Sequence, residues 1–168
     1  AAAVFDFDRV NKAGARFDWD KLNWLNSQVL HDLPAETLLQ ELKPLWLDQG
    51  WALPDSPGWT LELCRLLGPS LTLLKDGIEQ AEPFFLCPEM EDDGRQQLEV
   101  EGARTAIAQL LEKLEADPWS GEDPEIGKIL LTDAAKAAGV KKGVLMKTLR
   151  AALLGRLQGP DLITTWSL

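Results

Sequence analysis

Apolar residues recur at the spacing of an α-helix along almost the whole chain, and this periodicity restricts the possible folds more than any other feature. Leu22, Leu25 and Val29 stand at i, i+3 and i+7, a spacing that places them on one face of a helix. The apolar–polar alternation of a half-buried strand never lasts for more than a few residues. The pattern therefore predicts an all-α protein, with helices over residues 20–30, about 34–49, 55–80 with a break at 68–69, about 96–116, 123–138, 142–156 and from 160 towards 168.

Prolines and acidic residues divide this helical pattern into consecutive parts. The run Pro83–Pro88 is apolar, bounded by prolines and too short for most helices, and the acidic stretch Glu89–Gly94 has the composition of a linker. We therefore expect two consecutive helical bundles, residues 34–90 and residues 91–168, preceded by a shorter region over residues 1–33.

Composition places the chain among folded proteins and excludes several classes. Of its 168 residues 45% are hydrophobic and 26% charged, which argues against a disordered chain. The net charge of -10 excludes a protein that coats nucleic acid non-specifically, because such proteins are usually basic. The first residues lack the basic-then-apolar order of a secretory signal. Since residue 1 is not Met, we expect a fragment or a processed product.

Charge is distributed unevenly along the chain. Residues 126–168 contain seven Lys and Arg against two acidic residues, a net charge of +5, whereas the first 125 residues contain ten against 25, a net charge of -15. Such asymmetry is expected if the C-terminal third faces an anion. An ordinary charged surface explains the same numbers, and charge alone leaves the two interpretations open.

The residues that usually carry catalysis or metal binding do not form a pattern here. Cys64 and Cys87 stand alone, with no zinc-site spacing, and we expect both to be buried free thiols. The single histidine, His31, lies where one helix ends, which favours an interaction with the helix dipole. No glycine-rich phosphate loop is present. We therefore predict no catalytic residue and no metal site in this chain.

Most of the seven tryptophans are expected in the core, but Trp24 is an exception. At 100° per residue its side chain lies away from the face formed by Leu22, Leu25 and Val29, which we expect to be the buried face. Trp24 either packs against a second layer of protein, the interpretation we favour, or is exposed to a partner.

Two segments resemble bacterial glutamyl-tRNA synthetases, which are class I enzymes. Phe5–Asn26 is similar to the family's segment just downstream of the catalytic core, with Arg-Val-x-Lys, Phe-Asp, Lys-Leu and Trp-x-Asn in order. Leu149–Gly155 followed by Gly159–Leu162 is similar to its closing motif, and Gly139–Gly143 stands where the family has a glycine- and lysine-containing helix opening. Weaker similarity covers Leu61–Leu63 and Pro83–Phe85.

The resemblance implies the end of a stem-contact region over residues 1–33, followed by two helical anticodon-binding subdomains. The family's HIGH-like and KMSKS-like nucleotide motifs are absent from this chain. The implied parent is an ATP-dependent glutamate–tRNA ligase, and the fragment itself is expected to be catalytically silent and to hold no cofactor. The implied partners are tRNA-Glu, with tRNA-Gln left open, and an upstream catalytic domain of the same chain, in a cytoplasmic monomer.

By motif position the resemblance also implies which side chains meet RNA. The arginine of the closing helix and the apolar loop after it contact the anticodon in the family, and here they correspond to Arg150, Pro160, Leu162 and Ile163. Lys147 lies three residues before Arg150, on the same helix face. The remaining RNA-binding candidates are Lys141 and Lys142, and the residues expected to contact the tRNA stem or the catalytic domain are Arg9, Lys12 and Lys21.

Two questions stay open from the sequence. Enzymes strict for tRNA-Glu carry an arginine that senses the third anticodon base, and its place falls within residues 64–80, where the candidates are Arg65 and Lys75. Gly68 and Gly77 stand nearby, so the sequence leaves open whether the enzyme charges tRNA-Glu only or tRNA-Gln as well. The alternative function is a stand-alone acidic helical protein-interaction module, with Trp24 and the acidic N-terminal part as its surface.

Overall fold

The computed structural model describes residues 18–168, and every regular element in this range is helical. The predictions for Arg9, Lys12 and the first part of the Phe5–Asn26 similarity lie outside the described residues. The elements are α1 Trp19–His31, α2 Ala35–Asp48, α3 Pro57–Leu67, a 3-10 turn Gly68–Ser70, α4 Asp76–Phe85, α5 Asp92–Leu98, α6 Ala103–Ala116, α7 Pro124–Ala137, α8 Lys142–Leu154 and α9 Leu162–Ser167.

The first core lies among α1 to α4. Trp46, on α2, is fully buried, and its indole N–H donates to the Gly77 carbonyl at 3.0 Å. Phe85 packs against the rings of Trp46, Trp51 and Trp59, with centroids 4.9–5.5 Å apart. Aromatic rings at these distances attract one another in addition to burying apolar area. The other buried members are Leu30, Leu38, Leu42, Leu63, Cys64, Leu67, Leu71 and Ala81.

The second core lies among α6 to α9, and α5 packs on α8 beside it. Gln97 of α5 is buried and its amide donates to the Thr148 hydroxyl of α8 at 3.1 Å. The buried members of the core are Ala106, Leu110, Leu131, Ala134, Ala135, Leu145, Leu149, Leu162 and Ile163. The prediction of an all-α chain built as two consecutive helical bundles is confirmed, while the boundaries after residues 33 and 90 stay predictions.

The predicted inner face of α1 is wrong. Asp18 caps the helix by accepting a hydrogen bond from the Lys21 N–H at 3.1 Å. However, the buried residues of α1 are Ser27 and Leu30, and Val29 is 61% exposed. The helix meets the 3-10 turn with the face that carries Leu30, so Leu22, Leu25 and Val29 point away from the first core. Trp24 is exposed as well.

Three predicted boundaries also differ from the structure. Helix α4 continues through Pro83 to Phe85, because Phe85 completes the aromatic cluster of the first core. The predicted linker contains the first turn of α5, and Gly94 in it is buried. The predicted helix over residues 96–116 is broken between α5 and α6, where Gly102 has φ +78° and an added Cβ would lie 2.4 Å from the Val140 side chain. Glycine adopts that conformation without steric cost.

His31 ends α1, as predicted, and its Nε2 lies 3.0 Å from the Leu71 carbonyl oxygen. Among residues 18–168 no helix is both long enough and apolar enough to cross a membrane.

The two thiols lie in different environments. Both are free, which confirms that part of the prediction, but only Cys64 is buried and Cys87 is exposed. Burial raises the pKa of the Cys64 thiol to about 12. Since the thiolate is the reactive form, we expect a thiol reagent at pH 8 to modify Cys87 in the folded protein and Cys64 only after unfolding. The absorbance of the reagent measures the rate of modification. Equal rates for the two thiols would contradict the assignment of Cys64 as buried and Cys87 as exposed.

Candidate nucleic-acid interface

Arg150 lies in the third turn of α8 and reaches the loop that follows this helix. Its Nη1 donates to the Pro160 carbonyl oxygen at 2.6 Å, and its side chain is half-buried. A guanidinium group has five N–H donors in one plane, so this bond leaves others for a ligand. The structure therefore brings together Arg150 and Pro160, two residues that the sequence predicts as one site.

The loop of residues 155–161 has a conformation that depends on two glycines. Gly155 ends α8 with φ +72°, in the left-handed region. Gly159 has φ +151°, and a Cβ there would lie 2.6 Å from Leu154 Cδ1 and 3.3 Å from Arg150 Nη1. A side chain at position 159 would therefore meet Arg150 itself. Pro160 follows, and its pyrrolidine ring fixes the backbone φ angle. The loop is therefore restricted at this residue, which also contributes an apolar ring.

Asp161 closes the loop by capping α9. Its carboxylate accepts hydrogen bonds from the Thr164 N–H and the Thr164 hydroxyl, both at 2.9 Å. Burial alone would raise the pKa of Asp161, but these two hydrogen bonds, with the nearby charge of Arg150, outweigh it and hold the pKa below its usual value. The carboxylate is thus ionised at neutral pH and fixes the far end of the loop.

Leu162 and Ile163 follow the loop directly, as the first two residues of α9. They are 3% and 6% exposed and belong to the second core. Little of either side chain is therefore open to a ligand in this conformation.

The predicted lysines lie along the same helix. Lys147 and Lys141 are exposed, and Lys141 is the residue that precedes the first turn of α8. Lys142 is half-buried, and its Nζ donates to the Lys128 carbonyl at 3.1 Å. Lys128 itself pairs with Glu125, with Nζ and Oε1 2.6 Å apart. Lys21 is exposed on α1, far along the sequence from these residues.

Two cavities of about 510 Å³ each flank Pro160 and were not anticipated from the sequence. One is lined by residues that include Arg156, Gln158 and Gln80. The other contains Arg65, one of the two basic residues expected to bear on specificity. Each cavity is lined by residues from two parts of the chain that lie at least 65 residues apart in sequence. Periodicity within one helix carries no signal for such a pairing.

Both arginines in these cavities also face carboxylates. Arg65 pairs with Glu62 and lies 3.7 Å from Glu36. Arg156 is 3.7 Å from Glu79 of α4 and 3.8 Å from Glu91. The positive charge of the arginines beside Pro160 is therefore partly balanced by carboxylates from the acidic first 125 residues of the chain.

Comparison with known proteins gives a consistent result. Residues 37–168 match the family model described as anticodon binding domain. The full chain is 75% identical to part of a glutamate–tRNA ligase of Parasynechococcus marenigrum and 66% identical to part of one from Prochlorococcus marinus. It spans 35% of the length of each.

Solved structures agree with these relatives. The chain superposes on a glutamate-tRNA synthetase from Elizabethkingia anophelis with a TM-score of 0.77 at 27% identity, covering 97% of this chain and 31% of that one. A glutamate tRNA ligase from Elizabethkingia meningosepticum gives a TM-score of 0.78 at 29% identity, covering 96% of this chain and 31% of that one. These matches support the resemblance to glutamyl-tRNA synthetases and not the stand-alone interaction module. The chain belongs to the anticodon-binding domain family and corresponds to that part of a glutamate–tRNA ligase.

Proposed function

We propose that this chain binds the anticodon of a tRNA through the loop of residues 155–161 and the adjoining face of α8. The observation that carries the proposal is the hydrogen bond from Arg150 to the Pro160 carbonyl, which joins a guanidinium group to a proline-containing loop in the basic third of the chain. Family membership supports the same reading.

This arrangement suits an unpaired base. Sequence-specific RNA recognition relies on bases that leave the stack, rest on flat side chains and form hydrogen bonds along their edges. In the proposed complex Arg150 supplies the plane and the N–H donors. Pro160 supplies an apolar contact, and the buried Leu162 and Ile163 anchor the start of α9, just after the loop, in the second core.

Lysines on α8 contribute a different kind of contact in this proposal. Lys141, Lys142 and Lys147 carry charges that attract phosphate without reading sequence. The acidic first part of the chain limits binding elsewhere, because like charges repel misplaced phosphates. The net charge of -10 is therefore compatible with RNA binding at one surface.

The relatives named glutamate–tRNA ligase suggest what a longer parent protein would do. We infer that the parent attaches glutamate to tRNA using ATP, in a catalytic domain that this chain does not include. The proposed partners are tRNA-Glu, with tRNA-Gln as an open second substrate, and that catalytic domain; the proposed state is a cytoplasmic monomer.

Binding of the 168-residue chain to a synthetic anticodon stem-loop, and not to a hairpin with the same stem and another loop, tests the proposal. Equal binding to both hairpins would contradict it.

The lysines give a separate prediction on salt dependence. Each of Lys141→Ala and Lys142→Ala should weaken binding of every tRNA alike. Each should also lower the slope of log K against log salt concentration by about one unit, because one phosphate contact is lost. The measurement is titration at several salt concentrations, with Lys43→Ala, an exposed lysine on α2, as the matched control. Unchanged slopes for Lys141→Ala and Lys142→Ala would show that neither lysine meets phosphate.

A further inference from the structure

The end of α8 is held by the segment that joins the two bundles. The Glu91 N–H donates to the Gly155 carbonyl oxygen at 2.9 Å. On the other side of Gly155 an added Cβ would lie 2.1 Å from the Glu89 carbonyl oxygen. We call this contact of residues 89, 91 and 94 with Gly155 the seam.

Gly94 makes the seam a contact of backbone on backbone. A Cβ at Gly94 would lie 2.3 Å from the Gly155 carbonyl oxygen and 3.0 Å from its carbon. Backbone atoms cannot rotate away as a flexible side chain can, so a larger residue at position 94 or 155 must displace a whole segment. Gly155 thus has backbone of the joining segment close to it at both Glu89 and Gly94.

Gly155 is also the first residue of the proposed RNA-contacting loop. The loop continues to Gly159, which rests against Leu154 and Arg150, and to Pro160, whose carbonyl accepts the Arg150 bond. Arg156, one residue after the seam, faces Glu79 of α4 and Glu91 at 3.7 and 3.8 Å. A shift of Gly155 would therefore change the geometry in which Arg150 and Pro160 meet.

We propose that the seam is a positioning element: the segment Pro88–Gly94, by fixing Gly155, sets the Arg150–Pro160 geometry that discriminates between anticodons. In this proposal Glu89, Glu91 and Gly94 contact no RNA and act on it only through Gly155 and the loop that begins there. This inference rests on the proposed function. It gives a positioning role to residues that were predicted from the sequence to be only a linker.

Glu91→Pro tests the seam with little other disturbance. Glu91 has φ -69°, which proline adopts, and it stands just before the first residue of α5, where proline is tolerated. The substitution removes the N–H that bonds Gly155 and puts a ring carbon in its place. Glu91→Gln is the matched control, because it removes the same carboxylate and keeps the N–H.

Two readouts separate positioning from overall stability. The first is the ratio of affinities for a tRNA with the cognate anticodon and one with a replaced anticodon. The second is hydrogen exchange in peptides covering residues 155–161, which needs no RNA. For Glu91→Pro we expect faster exchange in the loop and an affinity ratio lower by about tenfold, the scale of one lost base contact. For Glu91→Gln we expect both readouts to match the wild type.

The outcomes distinguish this inference from the proposed function. A folded Glu91→Pro variant with wild-type exchange and a wild-type affinity ratio would overturn the positioning role while leaving anticodon binding intact. If Glu91→Pro speeds hydrogen exchange in the loop but the wild type shows no anticodon preference, the seam does fix the loop. The proposed anticodon binding would then be wrong. If circular dichroism shows Glu91→Pro unfolded, Gly94→Ala replaces it, with Gly102→Ala as its control for strain away from the seam.

Discussion

Arg150→Ala should cost roughly 1–3 kcal/mol of binding to a tRNA with the cognate anticodon, the magnitude typical of a lost base-specific or stacking contact. The loss should be confined to that anticodon. Arg150 donates one N–H to the Pro160 carbonyl, and in the proposed complex the rest of its plane contacts a base. The substitution therefore removes both the base contact and the hydrogen bond to the loop. Fluorescence titration with the cognate tRNA and with the same tRNA carrying a replaced anticodon measures both affinities.

Two further variants serve as controls for Arg150. Lys147→Ala removes a charge from the same face of α8, and it should weaken both tRNAs equally because phosphate attraction is not sequence-specific. Arg150→Lys keeps the charge and loses the plane, so it should behave nearly like Arg150→Ala. If Arg150→Ala loses the same affinity for both tRNAs, Arg150 contacts phosphate and the assignment to the anticodon is wrong.

The largest effect on folding is expected for Trp46→Ala, at about 3–5 kcal/mol of unfolding free energy. Trp46 is fully buried, packs against Phe85 and donates a hydrogen bond to the Gly77 carbonyl. Its removal leaves a large cavity in the first core and takes away one hydrogen bond to the Gly77 carbonyl.

Trp24→Ala is the matched control, because the same side chain is deleted from a position that is 59% exposed. Urea unfolding of the chain should show little change for Trp24→Ala. A loss of several kcal/mol for Trp24→Ala, or a wild-type midpoint for Trp46→Ala, would contradict the assignment of the first core.

Helix positions could be predicted from the sequence because each depends on local spacing and local caps. Asp18 and Asp123 stand at the starts of α1 and α7, and the side chain of each accepts a backbone N–H there. The break between α5 and α6 was not predicted. Gly102 has no distinguishing feature in the sequence, and its close approach to Val140, 38 residues away, is visible only in the structure. Long-range contacts of this kind have no signature in local periodicity.

The face of α1 shows a second limit of sequence patterns. Leu22, Leu25 and Val29 form the more apolar stripe, yet α1 uses Leu30 and Ser27 to meet the rest of the described chain. Periodicity identifies an apolar face without telling which part of a larger protein covers it. Trp24 and this stripe are left exposed in a chain that spans 35% of its relatives.

The candidate site was only partly accessible from the sequence. Motif position led to Arg150 and Pro160, and the structure joins them by one hydrogen bond. The burial of Leu162 and Ile163 could not be read from the motif, because an apolar residue in a loop motif is equally suited to a ligand surface and to a core. The cavities beside Pro160 depend on how the two bundles meet.

The central claim, that this chain recognises an anticodon, is tested most directly by one binding comparison. The wild-type chain is titrated with full-length tRNA-Glu and with the same tRNA whose three anticodon bases are replaced, at a single fixed salt concentration. The account predicts that replacement weakens binding by roughly 1–3 kcal/mol or more, since each base contact contributes on that scale. Equal affinity for the two tRNAs would contradict it.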